Sequence, residues 1–139
     1  MHKLNFDLEA YRERLGEKAF LRHHNYLDGQ VELAGIDERR LFAWVIGSGD
    51  LPYQVELGED GFEFCSCPAF DEAGVCKHLA AVAHTANELG GDQIRTLSGR
   101  FERLRESLSL EPPQALIDRL ATLAKRVPGV LEALEGEEA

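Results

Sequence analysis

Residues 62–89 read FEFCSCPAFDEAGVCKHLAAVAHTANEL and contain every cysteine of the chain, Cys65, Cys67 and Cys76, followed closely by His78. In structural sites, Zn²⁺ is coordinated tetrahedrally by four side chains, most often thiolates and imidazoles. Three thiols and one imidazole within one short stretch complete such a set. The stretch therefore predicts one structural zinc ion held by these four residues, with no coordination position left open.

The spacing of the two ligand pairs predicts how each pair is held. Side chains two apart on an extended strand point to the same face, so Cys65 and Cys67 can direct both sulfurs at one ion. Residues two apart on a helix do not share a face. We therefore place Cys76 in the turn before a helix and His78 in its first turn, where unpaired backbone N–H groups can donate to a thiolate and lower its pKa.

Two other interpretations of the cysteines stay open on the residues alone. The three thiols can be inert buried groups that lie near a histidine by chance, or Cys65 and Cys67 can form a redox pair. Neither interpretation accounts for a second ligand pair ahead of a helix, and cysteine–histidine clusters in cytosolic proteins are typical of metal sites. We therefore favour zinc.

The ligand pattern, Cys-x-Cys, eight residues, then Cys-x-His-x-x-Ala ending at Ala81, resembles the SWIM zinc finger. Pro68 after the first pair and Lys77 inside the second pair are also typical of that family. The lead-in AFLRHHNYLDGQV is similar to that of small bacterial SWIM proteins, so the likeness spans residues 19–89. The resemblance implies a ββα zinc unit attached to a small sheet, and binding to protein or DNA rather than catalysis.

The resemblance also indicates what kind of partner to expect. SWIM modules occur with helicase-like ATPases, with transposases and with recombinase accessory proteins. The resemblance therefore implies an adaptor that binds another protein, such as a recombinase, a helicase-like enzyme or another ATPase, in DNA repair or recombination.

Alternation of apolar and polar residues predicts strands at 31–33, 41–46 and 53–57, and a last strand that delivers the first ligand pair. The connections are short, which favours an antiparallel meander. The fold class is then α+β: a small antiparallel sheet of three to four strands with a zinc-tethered ββα finger, flanked by an N-terminal helix and C-terminal helices. We expect strand 41–46, apolar on both faces, to be the most buried.

Helical patterns precede and follow the predicted strands in the sequence. One or two short helices are expected within residues 7–27, a loop at 69–75, and a helix at 77–89 that packs on the sheet. Apolar residues from Ile94 to Leu108 recur at steps of three and four and predict one further helix, weakened by Gly99. We divide the chain into residues 1–91, with the finger core at 53–89, and a helical extension at 92–139 that packs on it.

The last segment holds two more helical patterns. Pro112 and Pro113 open a helix with a leucine-rich stripe, and a short final helix follows Pro128.

Charge is distributed unevenly along the chain, whose formal net charge is −10. Residues 30–91 contain three basic and eleven acidic side chains, a net charge of −8. Because DNA binding requires clustered Lys and Arg to neutralise phosphates, the finger itself is poorly charged for that role. Direct DNA binding through the C-terminal helices is the alternative function, and the arginines that would serve it are Arg95, Arg100, Arg103 and Arg105.

Several functional classes are not expected. No stretch is long and apolar enough to cross a membrane, and reduced cysteines fit the cytosol, so we expect a cytoplasmic protein. No general base or phosphate loop is recognisable, and metal ligation would occupy the thiols that a nucleophile needs. We therefore expect no catalytic residues and no enzyme activity.

Three of the histidines outside the ligand pattern, His23, His24 and His84, lie in predicted helical segments. A second metal site at His23 and His24 is conceivable, but packing or exposed histidines are more common. His84 lies on a different face of its helix from His78, and we interpret it as a surface or edge residue.

Overall fold

The structure, a computed structural model, describes residues 3–47, 49 and 51–136. Within these ranges it contains four β-strands, eight α-helices and one 3₁₀ helix. The chain divides into two compact units, residues 1–101 and residues 102–139. No helix in the described ranges has the length and apolar character needed to span a bilayer. The packing of the C-terminal helices on the rest of the chain stays a prediction.

The first unit is built on one antiparallel sheet in the order β1-β2-β3-β4. Its strands are β1 (Val31–Asp37), β2 (Arg40–Val45), β3 (Tyr53–Gly58) and β4 (Glu63–Cys65). Each strand pairs with the next one along the chain, as a meander requires. The predicted α+β class with a small antiparallel sheet is therefore confirmed.

The two faces of the sheet differ in what covers them. The inner face carries Leu41, Ala43 and Val45 of β2, which are buried together with alternate residues of β3. On the outer face, Trp44 is 39% exposed and Ile46, just after β2, is 49% exposed. The expectation that residues 41–46 form the most buried strand is wrong, because β3 has as many buried residues and the outer face of β2 is left exposed at Trp44 and Ile46.

Three short helical segments precede the sheet: α1 (Leu8–Leu15), α2 (Glu17–Leu21) and a 3₁₀ helix (Arg22–Tyr26). Helix α1 begins where the side chain of Asp7 accepts a hydrogen bond from the N–H of Ala10 at 3.1 Å, which satisfies one unpaired donor of the first turn. The sequence predicted one or two short helices in this region, and the structure adds the 3₁₀ turn.

Two helices follow β4 and carry the metal ligands, α3 (Pro68–Ala73) and α4 (Lys77–Asn87). Helix α4 is the central helix of the unit, since it contacts all four strands, α1, α2 and the 3₁₀ helix. Leu79, Val82, Ala83 and Ala86 are buried against the core, and Ala80 and Ala81 are buried as well. The packing of the whole core therefore depends on the position of α4.

The predicted single helix from Ile94 to Leu108 is wrong. The structure has two helices instead, α5 (Gly91–Leu97) and α6 (Arg100–Ser109). Gly99 between them has a φ of 74°, and its N–H donates to the carbonyl of Ile36 at 3.3 Å. Because this glycine turns the chain along the edge of β1, α5 packs on β1 and belongs to the first unit.

The second unit contains the rest of α6, α7 (Pro113–Arg126) and α8 (Val130–Leu134). Pro112 precedes the first turn of α7, as its sequence predicted. None of residues 102–136 is classed as buried, so the described part of this unit has no enclosed core.

Candidate metal centre

The first ligand pair lies where β4 passes into α3. Cys65 is the last residue of β4, and Cys67 is the N-cap of α3, where its sulfur accepts a hydrogen bond from the N–H of Phe70 at 3.4 Å. Pro68 supplies the first turn with its fixed φ. The predicted loop at 69–75 is therefore mostly helical, and its helix start supplies a donor to one of the ligands.

The second pair opens α4. Cys76 is the N-cap residue with φ −155° and ψ 166°, and His78 lies in the first turn. The placement predicted from the two-residue spacing is confirmed, because only an extended cap residue lets both side chains turn to the same point.

The four predicted ligands come together. One ligand atom from each residue lies within 4.8 Å of the others, and all four residues are buried. The sulfur of Cys65 is 3.7 Å from Nδ1 of His78, and the three cysteines are free thiols. A tetrahedral ion with bonds of about 2.3 Å to sulfur and 2.0 Å to nitrogen separates those two atoms by roughly 3.5 Å. The cluster therefore fits one zinc ion.

The pKa values of the three thiols are shifted in different directions. Hydrogen bonding from the Cys65 thiol, helped by His78 and the N–H of Leu79, lowers the pKa of Cys76 to about 4 although burial opposes it. The same hydrogen bond to Cys76, together with burial, raises the pKa of Cys65, and burial raises the pKa of Cys67. Because three adjacent buried thiolates repel one another, full ionisation of this cluster requires a bound cation.

Two tyrosines hold the ring of His78. The ring of Tyr26 meets it edge-on at a centroid distance of 5.0 Å, and the ring of Tyr53 lies at 4.6 Å. Sequence reasoning did not assign either tyrosine to the site. Tyr53 could have been assigned, because it lies two residues before Val55 and therefore on the same face of β3. Val55 pairs with the ligand Cys65 in the register.

His23, His24 and His84 form a separate arrangement. His23 is 1% exposed, and its Nδ1 lies 2.6 Å from the carbonyl of Phe20 while its Nε2 lies 3.0 Å from Nδ1 of His84. His84 is thus more than a surface residue, because it is the hydrogen-bond partner of the buried His23 ring. Within the described ranges, the Cys₃His cluster is the one group of three or more candidate ligands with ligand atoms this close together, and neither His23 nor His24 belongs to it.

A buried Cys₃His cluster that joins a strand end to a helix start defines a zinc-binding module. Residues 53–87 match the family model of the SWIM zinc finger. The resemblance drawn from the ligand pattern is confirmed by that match. Comparison with curated proteins and comparison with solved structures each returned no match.

Proposed function

We propose that this chain is a zinc-stabilised adaptor, in which the finger ties the end of β4 to the start of α4 and the surface so held recognises another protein. The observation that carries the proposal is the burial of the complete ligand set, Cys65, Cys67, Cys76 and His78. Four protein ligands saturate a tetrahedral zinc ion and leave no position for a substrate or water. Such a centre supports binding rather than catalysis.

The position of α4 explains what the zinc ion would stabilise. Leu79, Val82 and Ala86 are fully buried, and α4 contacts every strand, so the ion fixes the helix on which the core is assembled. Zinc binding by finger peptides is worth roughly 10–16 kcal/mol, which is comparable with the whole stability of a small domain, about 5–15 kcal/mol. The recognition surface would therefore depend on the metal.

The charges of the structure favour a protein partner over DNA. Arg95 donates to Asp92 at 2.6 Å, and Arg100 donates to the carbonyl of Ala34 at 2.9 Å. Arg105 lies 4.0 Å from Glu102. The arginines that the alternative would use are thus partly engaged within the chain, and residues 30–91 carry a net charge of −8. By resemblance, the partner we propose is a recombinase, a helicase-like enzyme or another ATPase, acting in DNA repair or recombination.

Affinity capture with the full chain as bait tests the adaptor role. Three baits, the wild type, Cys76→Ser and His24→Gln, are presented to an extract of the source organism, and bound proteins are identified by mass spectrometry. His24 is exposed and outside the cluster, so His24→Gln is the control. We expect the wild type and His24→Gln to capture the same proteins and Cys76→Ser to lose them. Unchanged capture by Cys76→Ser, or no specific capture by the wild type, would contradict the proposal.

A separate titration addresses DNA. Short duplex and single-stranded DNA are added to the zinc-loaded chain over a salt series. Phosphate contacts would make the logarithm of the affinity fall linearly with the logarithm of salt concentration. We expect no such binding at low salt, and a linear dependence would instead establish the alternative function.

A further inference from the structure

The outer face of the sheet is a second feature that the zinc centre does not explain. Side chains of the paired strands form two rows across it, set by the strand register. One row is Glu32, Trp44 and Gln54, and the next is Gly35, Phe42, Glu56 and Phe64. Ile46 continues the alternation of β2 on the same face. All of these residues belong to the first unit.

Part of this face is covered by the chain itself. The ring of Phe101 meets that of Phe42 edge-on at 5.3 Å, and it lies so close to Gly35 that a Cβ there would be 2.8 Å from the ring. Trp44 and Ile46 are left 39% and 49% exposed. Tryptophan is among the side chains that contribute most to binding energy at protein interfaces, so this uncovered half of the face has the composition of an interface core.

The charged side chains in the two rows that contain Trp44 and Phe42 are both acidic. Glu32 lies directly opposite Trp44 in the register, and Glu56 lies opposite Phe42. Two arginines that keep their positive charge lie outside these rows. Arg40 pairs with Asp37 and Gly58 in the register, with its guanidinium 3.5 Å from the centroid of the Phe62 ring, and Arg100 of α6 donates to the carbonyl of Ala34. The uncovered half of the face is therefore apolar at its centre and negative at its edge.

We propose that this face, centred on Trp44, binds a partner segment that presents apolar side chains flanked by Lys or Arg. Charge complementarity selects this occupant, because an acidic segment or a phosphate backbone would place like charges beside Glu32 and Glu56. A second copy docked through the same face would bring the same two carboxylates together. The inference rests on the proposed adaptor role and names the surface and the chemistry of the partner.

The chain contains a single tryptophan, so its fluorescence reports directly on this face. The test titrates the zinc-loaded full chain with two synthetic amphipathic peptides that share their leucine positions and carry either Lys or Glu beside them. We expect the lysine peptide to shift the Trp44 emission to shorter wavelength saturably, with an affinity about tenfold or more above that of the glutamate peptide at low salt. Equal affinity for the two peptides, or no shift with either, would overturn the proposal.

Charge reversal locates the binding. In Glu32→Lys/Glu56→Lys, we expect the preference to reverse, so that the glutamate peptide binds more tightly. The control Glu13→Lys/Glu132→Lys changes the net charge equally on exposed helical positions of α1 and α8, and it should retain the wild-type preference. An equal loss in both variants would show that net charge alone is responsible and would overturn the proposal.

Two further measurements complete the design. If the double variant does not fold, Gln54→Lys places one positive charge beside Trp44 at an exposed position and should weaken lysine-peptide binding several-fold. A shift of the Trp44 emission with protein concentration alone would identify a second copy as the occupant, and it would overturn the proposal.

The failure of this inference can be told from the failure of the adaptor role. Glu32→Lys/Glu56→Lys is added as a bait in the capture experiment, with Gln54→Lys in its place if the double variant does not fold. If it captures the same proteins as the wild type while Cys76→Ser loses them, the adaptor role stands and the partner binds elsewhere. We expect the charge-reversed bait to lose them too, with its zinc content unchanged.

Discussion

The sulfur of Cys65 lies 3.7 Å from Nδ1 of His78, although the two residues are thirteen positions apart in the chain. Cys65 ends the last strand and His78 is in the first turn of the central helix. Because the intervening residues form the short helix α3 and its cap, the two elements return to one point. The stability of the unit should therefore depend on what occupies that point.

Substitution of a ligand should destabilise the whole first unit. Cys76→Ser removes the group with the most acidic thiol of the cluster, and we expect protein without stoichiometric zinc whose melting temperature is lower by on the order of 10 °C or more. Differential scanning calorimetry with parallel elemental analysis measures both quantities. Glu72→Gln, at an exposed position of α3, is the control and should melt like the wild type. Unchanged melting of Cys76→Ser would exclude a structural role for the metal.

The close approach of Phe101 to β1 should make Gly35 intolerant of a side chain. A Cβ at Gly35 would lie 2.8 Å from the Phe101 ring, so we expect Gly35→Ala to lower the free energy of unfolding by about 1–3 kcal/mol. Gly91→Ala, where a Cβ meets no atom within 4 Å, should be neutral or slightly stabilising. Chemical denaturation measures both. If Gly35→Ala costs the same after Phe101→Leu as before it, the cause is not this contact.

A partly buried ion pair between Arg14 and Glu63 links α1 to β4 and should make the stability of the protein depend on pH. Arg14 donates to both carboxylate oxygens of Glu63 at 2.7 and 2.9 Å, and the hydroxyl of Tyr11 donates at 2.8 Å. Burial alone would raise the pKa of Glu63, but these hydrogen bonds and the charge of Arg14 outweigh it and lower the pKa. The contribution is complete above the unfolded value of about 4.3, and it is lost as pH falls through the lower folded value.

We therefore expect Glu63→Gln to be less stable than the wild type by about 1 kcal/mol at pH 7, a figure limited by the partial exposure of Arg14. The difference between the two proteins should shrink as the pH falls below about 4. Denaturant titrations of both proteins in matched buffers measure it, and Glu9→Gln, which breaks only an exposed pair at 3.6 Å, serves as control. A difference that stays constant down to acid pH would refute the assignment.

Two adjacent histidines should respond very differently to the same substitution. His23→Gln disturbs a ring that is hydrogen-bonded at both nitrogens and buried, so we expect a loss of about 1–3 kcal/mol. His24→Gln changes an exposed residue and should stay within about 0.5 kcal/mol of the wild type. His84→Gln should fall between them. Equal effects at His23 and His24 would contradict the observed hydrogen bonding.

The ligand set and the meander could be predicted from the sequence because both follow from local spacing. Cys76 and His78 can share an ion only at a helix start. Short connections favour the antiparallel pairing of consecutive strands. The α5–α6 break could not be predicted in this way. Gly99 looked like a weak point within one helix, and its role depends on a hydrogen bond to Ile36, far away in the sequence.

Long-range side-chain pairs were also beyond sequence reasoning. His23 and His84 are 61 residues apart, and Arg14 and Glu63 are 49 apart. Each residue has an ordinary local role on its own helix or strand, so nothing in its neighbourhood indicates the partner. The exposure of Trp44 was missed for a related reason, since an apolar strand predicts burial on both faces whether or not anything covers the second.

The most direct test of the zinc-stabilised finger is the metal content of the native chain. Full-length protein purified under reducing conditions, without added zinc, is analysed by native mass spectrometry and by X-ray absorption at the zinc edge. The account predicts one zinc ion per chain in a shell of three sulfurs at about 2.3 Å and one nitrogen at about 2.0 Å. A folded chain with no bound metal, or with a ligand shell other than three sulfurs and one nitrogen, would contradict it.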